Sequence, residues 1–140
     1  MATFTHPRAA STASIKNVHA GVNSETAEYS FSTSISSGDI VNFFKVPSGA
    51  VVVDVVCRYT SSTAAGPLQF GVGDDGSAER YMASISATGV TRATAGIPYS
   101  YSADGTIRVT ASGSILSNST VGGTIRITVL YKMDDPIVTN

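Results

Sequence analysis

Cysteine, tryptophan and leucine are scarce in this chain of 140 residues, and charge is sparse. With one cysteine, Cys57, no intramolecular disulfide can form, so the sequence does not resemble a cystine-stapled secreted module. Charged residues make up 14% of the chain and the formal net charge is −1. Nucleic-acid sites need clustered Lys and Arg, whereas the nine basic residues are scattered here, so we expect no nucleic-acid partner.

Long hydrophobic runs are also missing near the start of the chain. The stretch Met1 to Val22 contains Arg8, Lys16 and both histidines but no continuous apolar segment. It therefore matches neither a secretory signal nor a membrane span. We expect a product made as a soluble protein in the cytoplasm, with no membrane partner.

Catalytic motifs are absent as well. The two histidines, His6 and His19, lie in the N-terminal stretch without Cys, Asp or Glu at ligand spacing, so they are interpreted as surface residues rather than metal ligands. No Gly-x-Ser-x-Gly elbow is present, and Gly71-Val72-Gly73 lacks the Lys-Ser/Thr ending of a phosphate-binding loop. The sequence predicts no enzyme, with no catalytic, cofactor-binding or metal-binding residues.

The positions of the carboxylates indicate turns rather than catalytic or metal-binding sites. Asp74 and Asp75 invite a calcium interpretation, but the alternating ligand register of an EF-hand loop is not met, so a tight turn is the better interpretation. A glycosidase would need a pair of buried carboxylates, and the candidates fall mostly in turn sequences. These candidates are Asp54, Asp74, Asp75, Glu79 and Asp104.

What the chain does contain is Ser, Thr, Gly, Val and Ile in abundance, without helix-forming runs of Leu, Glu, Lys and Ala. This bias predicts an all-β protein with Gly, Pro and Asp in its turns. Segments of β character recur about every 10 residues, which is typical of a sandwich or barrel. We therefore expect a jelly-roll-like β-sandwich of about eight strands.

The apolar centre of the chain runs from Phe43 to Tyr59. Ile40–Val46 is predicted as a strand that ends at a Pro47-Ser48-Gly49 corner, followed by a long strand from Val51. Alternation places the odd-numbered residues of the second strand in the core and Val52, Asp54, Val56 and Arg58 on the other face. Cys57 belongs to the apolar row, so it is interpreted as a structural residue rather than a nucleophile.

Other strands are predicted from the same alternation, and the last of them points Ile125, Ile127, Val129 and Tyr131 inward. Asp104-Gly105 predicts a hairpin turn between Tyr99 and Thr106. Residues 86–98 are predicted as a loop, and 78–85 as a strand or helical turn with Arg80 exposed and Tyr81 buried. The remaining predicted strands are Glu28–Ile35, Leu68–Val72, Thr106–Thr110 and Thr124–Lys132.

The sequence suggests three parts. Residues 1–27 form an irregular N-terminal arm, residues 28–133 the β-sandwich domain, and residues 134–140 a C-terminal tail. For the first part an alternative stays open, in which the stretch Ser14 to Val18 adds an edge strand to the sandwich.

Three segments in order, Phe44–Val55, Phe70–Tyr81 and Thr124–Tyr131, resemble the small decoration, or cement, proteins of tailed-bacteriophage capsids. The chain is similar in length and character to the jelly-roll cement protein of a short-tailed Bordetella phage. The resemblance covers most of the chain from about Ile40 onward, and each segment alone is ordinary strand and turn sequence.

The resemblance implies a non-enzymatic virion protein on the outer capsid surface that stabilises the shell by bridging subunits of the major capsid protein. It implies an HK97-like shell, synthesis in the host cytoplasm, and a homo-oligomer, with a dimer favoured over a trimer. The arm, residues 1–27, is expected to contribute to attachment.

Two other functions remain as alternatives. A carbohydrate- or receptor-binding module of a tail fibre could use Tyr59, Tyr81, Tyr99 and Tyr101 as stacking surfaces, although Trp, the usual sugar platform, is absent. A cupin-like metalloenzyme ranks last, because two histidines cannot supply its ligand set.

Overall fold

The computed structural model describes residues 2–5, 22–31, 35–61, 69–86, 88–112 and 123–133, and the regular structure in these ranges is all β-strand. The all-β prediction is confirmed. Both histidines, the stretch from Ser14 to Val18 and the tail at 134–140 lie outside the described residues. The ten strands are β1 Thr3–Thr5, β2 Asn23–Phe31, β3 Ile40–Val46, β4 Ala50–Ser61, β5 Phe70–Gly73, β6 Met82–Ile85, β7 Gly89–Arg92, β8 Tyr99–Ser100, β9 Gly105–Ala111 and β10 Gly123–Met133.

The strands form two sheets packed as a sandwich. One sheet has the order β1-β3-β9-β5-β6, and the other has the order β2-β10-β4-β7. The short strand β8 also pairs with β4, at residues before those that pair with β7. The pairs are nested: β2 pairs β10, β3 pairs β9, β4 pairs β7 and β5 pairs β6, all antiparallel. A long hairpin rolled up in this way is a jelly roll. Its eight strands are β2 to β7, β9 and β10, and the short strands β1 and β8 are additions to it.

The core lies between the sheets and is made by one face of each long strand. In β10 the predicted inward residues Ile125, Ile127, Val129 and Tyr131 are all buried, and in β4 the row of Val55, Cys57 and Tyr59 is buried opposite them. Phe31, Phe43, Phe70 and Ile107 complete the central layer. The Cys57 prediction is thus confirmed as far as its position is concerned.

One end of β4 departs from the predicted alternation. Val52 is fully buried and Val53 only half-buried, the reverse of what the sequence predicts. The pairing explains the error: Leu130 faces Asp54 but Tyr131 faces Val52, so Val53 is an extra residue in β4. Such a β-bulge shifts the side-chain alternation by one residue.

The predicted hairpin at Asp104-Gly105 is wrong. β8 pairs β4 in one sheet, whereas β9 pairs β3 and β5 in the other, so residues 101–104 cross between the sheets. Gly105 is needed for a close approach rather than a turn, because a Cβ there would lie 2.6 Å from the Tyr101 ring.

The crossing at 101–104 is bonded to the corner at 47–49, which also joins the two sheets. The Gly49 amide donates to the Tyr101 carbonyl at 2.7 Å, and the Ser48 amide donates to Asp104 Oδ1 at 2.9 Å. Two crossings that are distant in sequence therefore hold each other in place at one end of the sandwich.

Other predictions need smaller corrections. The predicted loop at 86–98 contains β7, whose main chain pairs with β4. Within residues 1–27, β1 runs parallel to β3, and β2 begins at Asn23. Asp39 holds β1 in place, since its carboxylate accepts the amides of Ala2 and Ser36, each at 2.9 Å.

Candidate functional site

The described residues bring no catalytic or metal-binding group of side chains together. In the part of the chain that the structure describes, no group of three or more His, Cys, Asp and Glu side chains could hold a metal ion. Burial raises the pKa of the Cys57 thiol to about 12, so the thiol stays protonated near neutral pH and is a poor nucleophile.

The most organised polar group lies at the turn that the sequence predicts from Gly73 to Ser77. Asp74 Oδ1 accepts the amides of Gly76 and Ser77 at 2.9 and 3.0 Å, and the Asp74 amide donates to the Ser77 carbonyl. These bonds are those of a tight turn in which the aspartate satisfies the local backbone.

The other oxygen of Asp74 connects the turn to residues far along the chain. Asp74 Oδ2 accepts from Arg80 Nε at 2.5 Å and from the Tyr101 hydroxyl at 2.9 Å. The Tyr81 and Tyr101 hydroxyls are hydrogen bonded at 2.8 Å, and the Arg80 guanidinium lies 3.8 Å from the centre of the Tyr99 ring. We call these five residues, Asp74, Arg80, Tyr81, Tyr99 and Tyr101, the Asp74 cluster.

Electrostatics in the Asp74 cluster favour fixed protonation states. Burial would raise the pKa of Asp74, but hydrogen bonds from Arg80, Tyr101 and the turn amides outweigh it and hold the pKa below its usual range. Burial also raises the pKa of Tyr81 and Tyr101. An ionised carboxylate surrounded by neutral hydroxyls and one arginine forms a structural tie, with no group poised to exchange a proton near neutral pH.

The four tyrosines considered as stacking surfaces are mostly inside the protein. Tyr59, Tyr81 and Tyr101 are buried, and Tyr99 is half-buried with Arg80 against its ring. Arg80, predicted as exposed, has a side chain only 21% exposed. The rings therefore do not form an open platform for a sugar.

The outer face of the β2-β10-β4-β7 sheet is open and polar. Its outward residues form cross-strand rows, which the register places side by side. One row contains Glu28, Arg126, Arg58 and Val90, in that order across the four strands. The flanking rows carry Ser30, Thr124 and Thr60 on one side and Thr26, Thr128, Val56 and Arg92 on the other.

Two of the three arginines described on this face form ion pairs with carboxylates. Arg126 Nη2 lies 2.7 Å from Glu28 Oε2, and Arg92 pairs with Asp54. Arg58 is exposed and forms no ion pair with any carboxylate of the described residues. Sequence alternation places Arg58 outward, but its neighbours from β2 and β10 depend on pairings that the sequence does not encode locally.

A depression lies beside the two crossings, at 47–49 and at 101–104. It is lined by Lys45, Val46, Pro47, Asp75, Asp104, Gly105 and Thr106. Asp104 is bonded to the Ser48 amide, and Asp75 lies 3.6 Å from Arg108. Its charges are mixed and its carboxylates already have protein partners, so it has no marked preference for an ion of either sign.

Comparison with protein-family profiles and with curated proteins gives no match. Solved structures do match. A chain in a structure described as the capsid of Ralstonia phage GP4 has a TM-score of 0.71 at 18% identity, with 96% of this chain and 99% of that chain covered. A chain of the cyanophage Pam1 capsid asymmetric unit has a TM-score of 0.69 at 22% identity, with 87% and 94% covered.

A chain in the acid-stable capsid of Helicobacter pylori bacteriophage KHP30 has a TM-score of 0.64 at 17% identity, with 84% of this chain and 92% of that chain covered. At these identities the likeness establishes a shared fold. Separately, the described residues contain no helix long and apolar enough to cross a bilayer.

Proposed function

We propose that this chain is a structural protein of a bacteriophage virion that binds the outer surface of the capsid. In this proposal it stabilises the shell by bridging subunits of the major capsid protein, and it has no enzymatic role. The shell is of the HK97-like type, and the protein acts as a homo-oligomer, with a dimer favoured over a trimer.

The observation that carries the proposal is the nearly complete match to chains of three phage capsid structures. The alignments cover 92 to 99% of those chains and 84 to 96% of this one. Each of those structures therefore contains a jelly roll of about this size. The resemblance of three ordered segments to capsid decoration proteins is an independent reason for the same assignment.

The surfaces of the protein fit this role. The best-ordered polar group, the Asp74 cluster, is a structural tie, whereas the outer face of the β2-β10-β4-β7 sheet is broad, polar and open. A binding protein without chemistry needs a rigid scaffold with such faces.

Shell stabilisation follows from mass action. A protein that binds the assembled, expanded shell but not the free subunit lowers the free energy of the shell, and the effect grows with the concentration of the free binding protein relative to its Kd. Many copies on one particle make a modest affinity at each site sufficient.

The N-terminal arm is proposed to contribute to attachment. An extended segment can add a strand to the open edge of a neighbouring sheet and bind through main-chain hydrogen bonds. Since β2 begins at Asn23 and pairs with β10, the deletion that tests the arm removes residues 1–21 and retains this strand. Unchanged capsid occupancy after this deletion would contradict the arm's role.

The proposal is tested on capsids purified with and without the protein. Particles that lack it should release DNA at a lower temperature and under milder osmotic shock, and adding the purified protein back should restore resistance. Equal robustness of both particles would refute the proposal.

The tail-fibre alternative has little structural support, because three of its four tyrosines are buried. A glycan array distinguishes the two functions, since binding to a specific glycan would favour the alternative.

A further inference from the structure

Arg58 stands directly opposite a second arginine. In the antiparallel register Arg58 of β4 faces Arg126 of β10, and both side chains point to the outer face of the sheet. Like charges directly opposite each other on a sheet are unfavourable. Glu28 neutralises Arg126, while no carboxylate of the described ranges pairs with Arg58.

The surroundings of this pair form a shallow depression. It has a volume of about 280 Å³ and is lined by Glu28, Arg58, Thr60, Thr124 and Arg126. Two guanidinium groups and two hydroxyl groups surround it, against one carboxylate that is already in an ion pair. Guanidinium and hydroxyl groups donate hydrogen bonds, so the depression suits an acceptor with negative charge.

An apolar contact lies next to the depression. Val90, the neighbour of Arg58 in β7, is 65% exposed and is one of two large hydrophobic side chains so exposed in the described part of the chain. Arginine is enriched at protein interfaces, and an exposed apolar side chain beside it adds area that a partner can bury.

We propose that the depression at Arg58 is the point where this protein docks on the shell, and that it receives an Asp or Glu side chain of a capsid subunit. Arg58 binds the carboxylate, Thr60 and Thr124 donate to its free oxygen, and Val90 packs against apolar atoms beside it. This inference rests on the proposed capsid function and adds the docking face and the chemistry of the partner.

The surroundings favour a protein carboxylate over a nucleic-acid phosphate. A phosphate backbone is bound by clustered Lys and Arg, whereas the described part of this face has Arg92 paired with Asp54 and Arg126 paired with Glu28. Arg58, which pairs with no carboxylate of the described ranges, and the adjacent Val90 match a single carboxylate on a protein surface.

The test measures binding of purified variants to expanded capsids that lack the protein, by co-sedimentation over a range of concentrations. The Arg58→Glu variant should bind at least about tenfold more weakly than the wild type, because it places like charge against the carboxylate. The matched control is Lys45→Glu, which reverses an exposed charge on β3 of the other sheet and should change affinity by less than about twofold.

Folding is followed separately by thermal melting. In Arg58→Glu the introduced carboxylate would face Arg126, so the melting temperature of this variant should stay the same or rise, and a loss of binding cannot then be assigned to unfolding. The wild-type affinity should fall as salt is raised, and the neutral variant Arg58→Ala should have a weaker salt dependence.

The outcomes separate the two proposals. If wild type and Arg58→Glu bind equally, the docking inference is overturned and the capsid function stands. If Lys45→Glu weakens binding as much as Arg58→Glu, general charge controls binding and the docking inference is again overturned. If the wild type does not bind the shell, both proposals fail together.

Discussion

Tyr101 donates a hydrogen bond to Asp74 at 2.9 Å and thereby ties the turn after β5 to the segment that crosses between the two sheets. The residues are 27 positions apart, and both are buried. The same segment is bonded through its backbone to the corner at residues 47–49. Asp74 and Tyr101 therefore help to hold together three connections at one end of the sandwich. These are the turn after β5, the crossing at residues 101–104 and the corner at residues 47–49.

Replacing Tyr101 with Phe should destabilise the protein by about 1.5–3 kcal/mol, the range for a hydrogen bond to a charged group. The ring would remain in the core, but Asp74 would lose a buried donor. Urea denaturation measures the change. The control is Tyr99→Phe, which removes a hydroxyl without a hydrogen bond among the described residues and should change stability by less than about 0.5 kcal/mol. Equal effects would contradict the role of the Tyr101 hydroxyl.

Stability should fall in acid because two carboxylates have lowered pKa values. Hydrogen bonds from the Ser36 and Ala2 amides lower the pKa of Asp39. Burial would raise the pKa of Asp74, but the hydrogen bonds that this carboxylate accepts outweigh burial and lower it. A lowered folded-state pKa contributes stability above the unfolded value of about 3.9, and this stability is lost as pH falls through the folded value. The free energy of unfolding should therefore decline below about pH 4.

The variant Asp74→Asn isolates one of the two groups. It should be less stable than the wild type at pH 7, and the difference should narrow as the pH falls below about 4, because the wild-type carboxylate is then protonated too. Melting temperatures over the acid-to-neutral range provide the comparison. A difference that stays constant over this range would contradict the assignment.

The bulge in β4 predicts unequal effects at neighbouring valines. Val52→Ala should cost about 2 kcal/mol, because the side chain is fully buried and its loss leaves a cavity. Val53→Ala should cost less than about 1 kcal/mol, since Val53 is only half-buried. Denaturant titration measures the free energy of unfolding of both variants. A larger loss of stability for Val53→Ala than for Val52→Ala would contradict the bulge in β4.

Gly73 at the end of β5 should not tolerate a side chain. A Cβ there would lie 2.0 Å from the Ser77 carbonyl oxygen, which belongs to the backbone of the turn and cannot move away freely. Gly73→Ala should destabilise by about 3 kcal/mol or more, at the upper end for overpacking.

The matched control is Gly123→Ala in β10, where the nearest atom, the Thr60 carbonyl oxygen, would lie at 3.3 Å. It should cost less than about 1 kcal/mol. Thermal melting compares the two variants, and similar losses would argue against the close approach at Gly73.

Much of the fold follows from local sequence. Alternation in β10 determines its buried row, Gly and Asp predict the turn at Asp74, and the apolar row in β4 places Cys57 in the core. These inferences hold because side-chain alternation and turn chemistry depend on residues within a few positions of each other.

Local patterns in the sequence therefore specify the all-β class, most strands and the outward direction of Arg58. The three-dimensional packing was needed to establish that Tyr101 reaches Asp74, that the chain crosses between sheets at Asp104, and that Val53 is an extra residue. It also places Arg58 beside Arg126. These relationships join strands that are far apart in the chain, and they are selected by packing of the complete jelly roll rather than by any local preference.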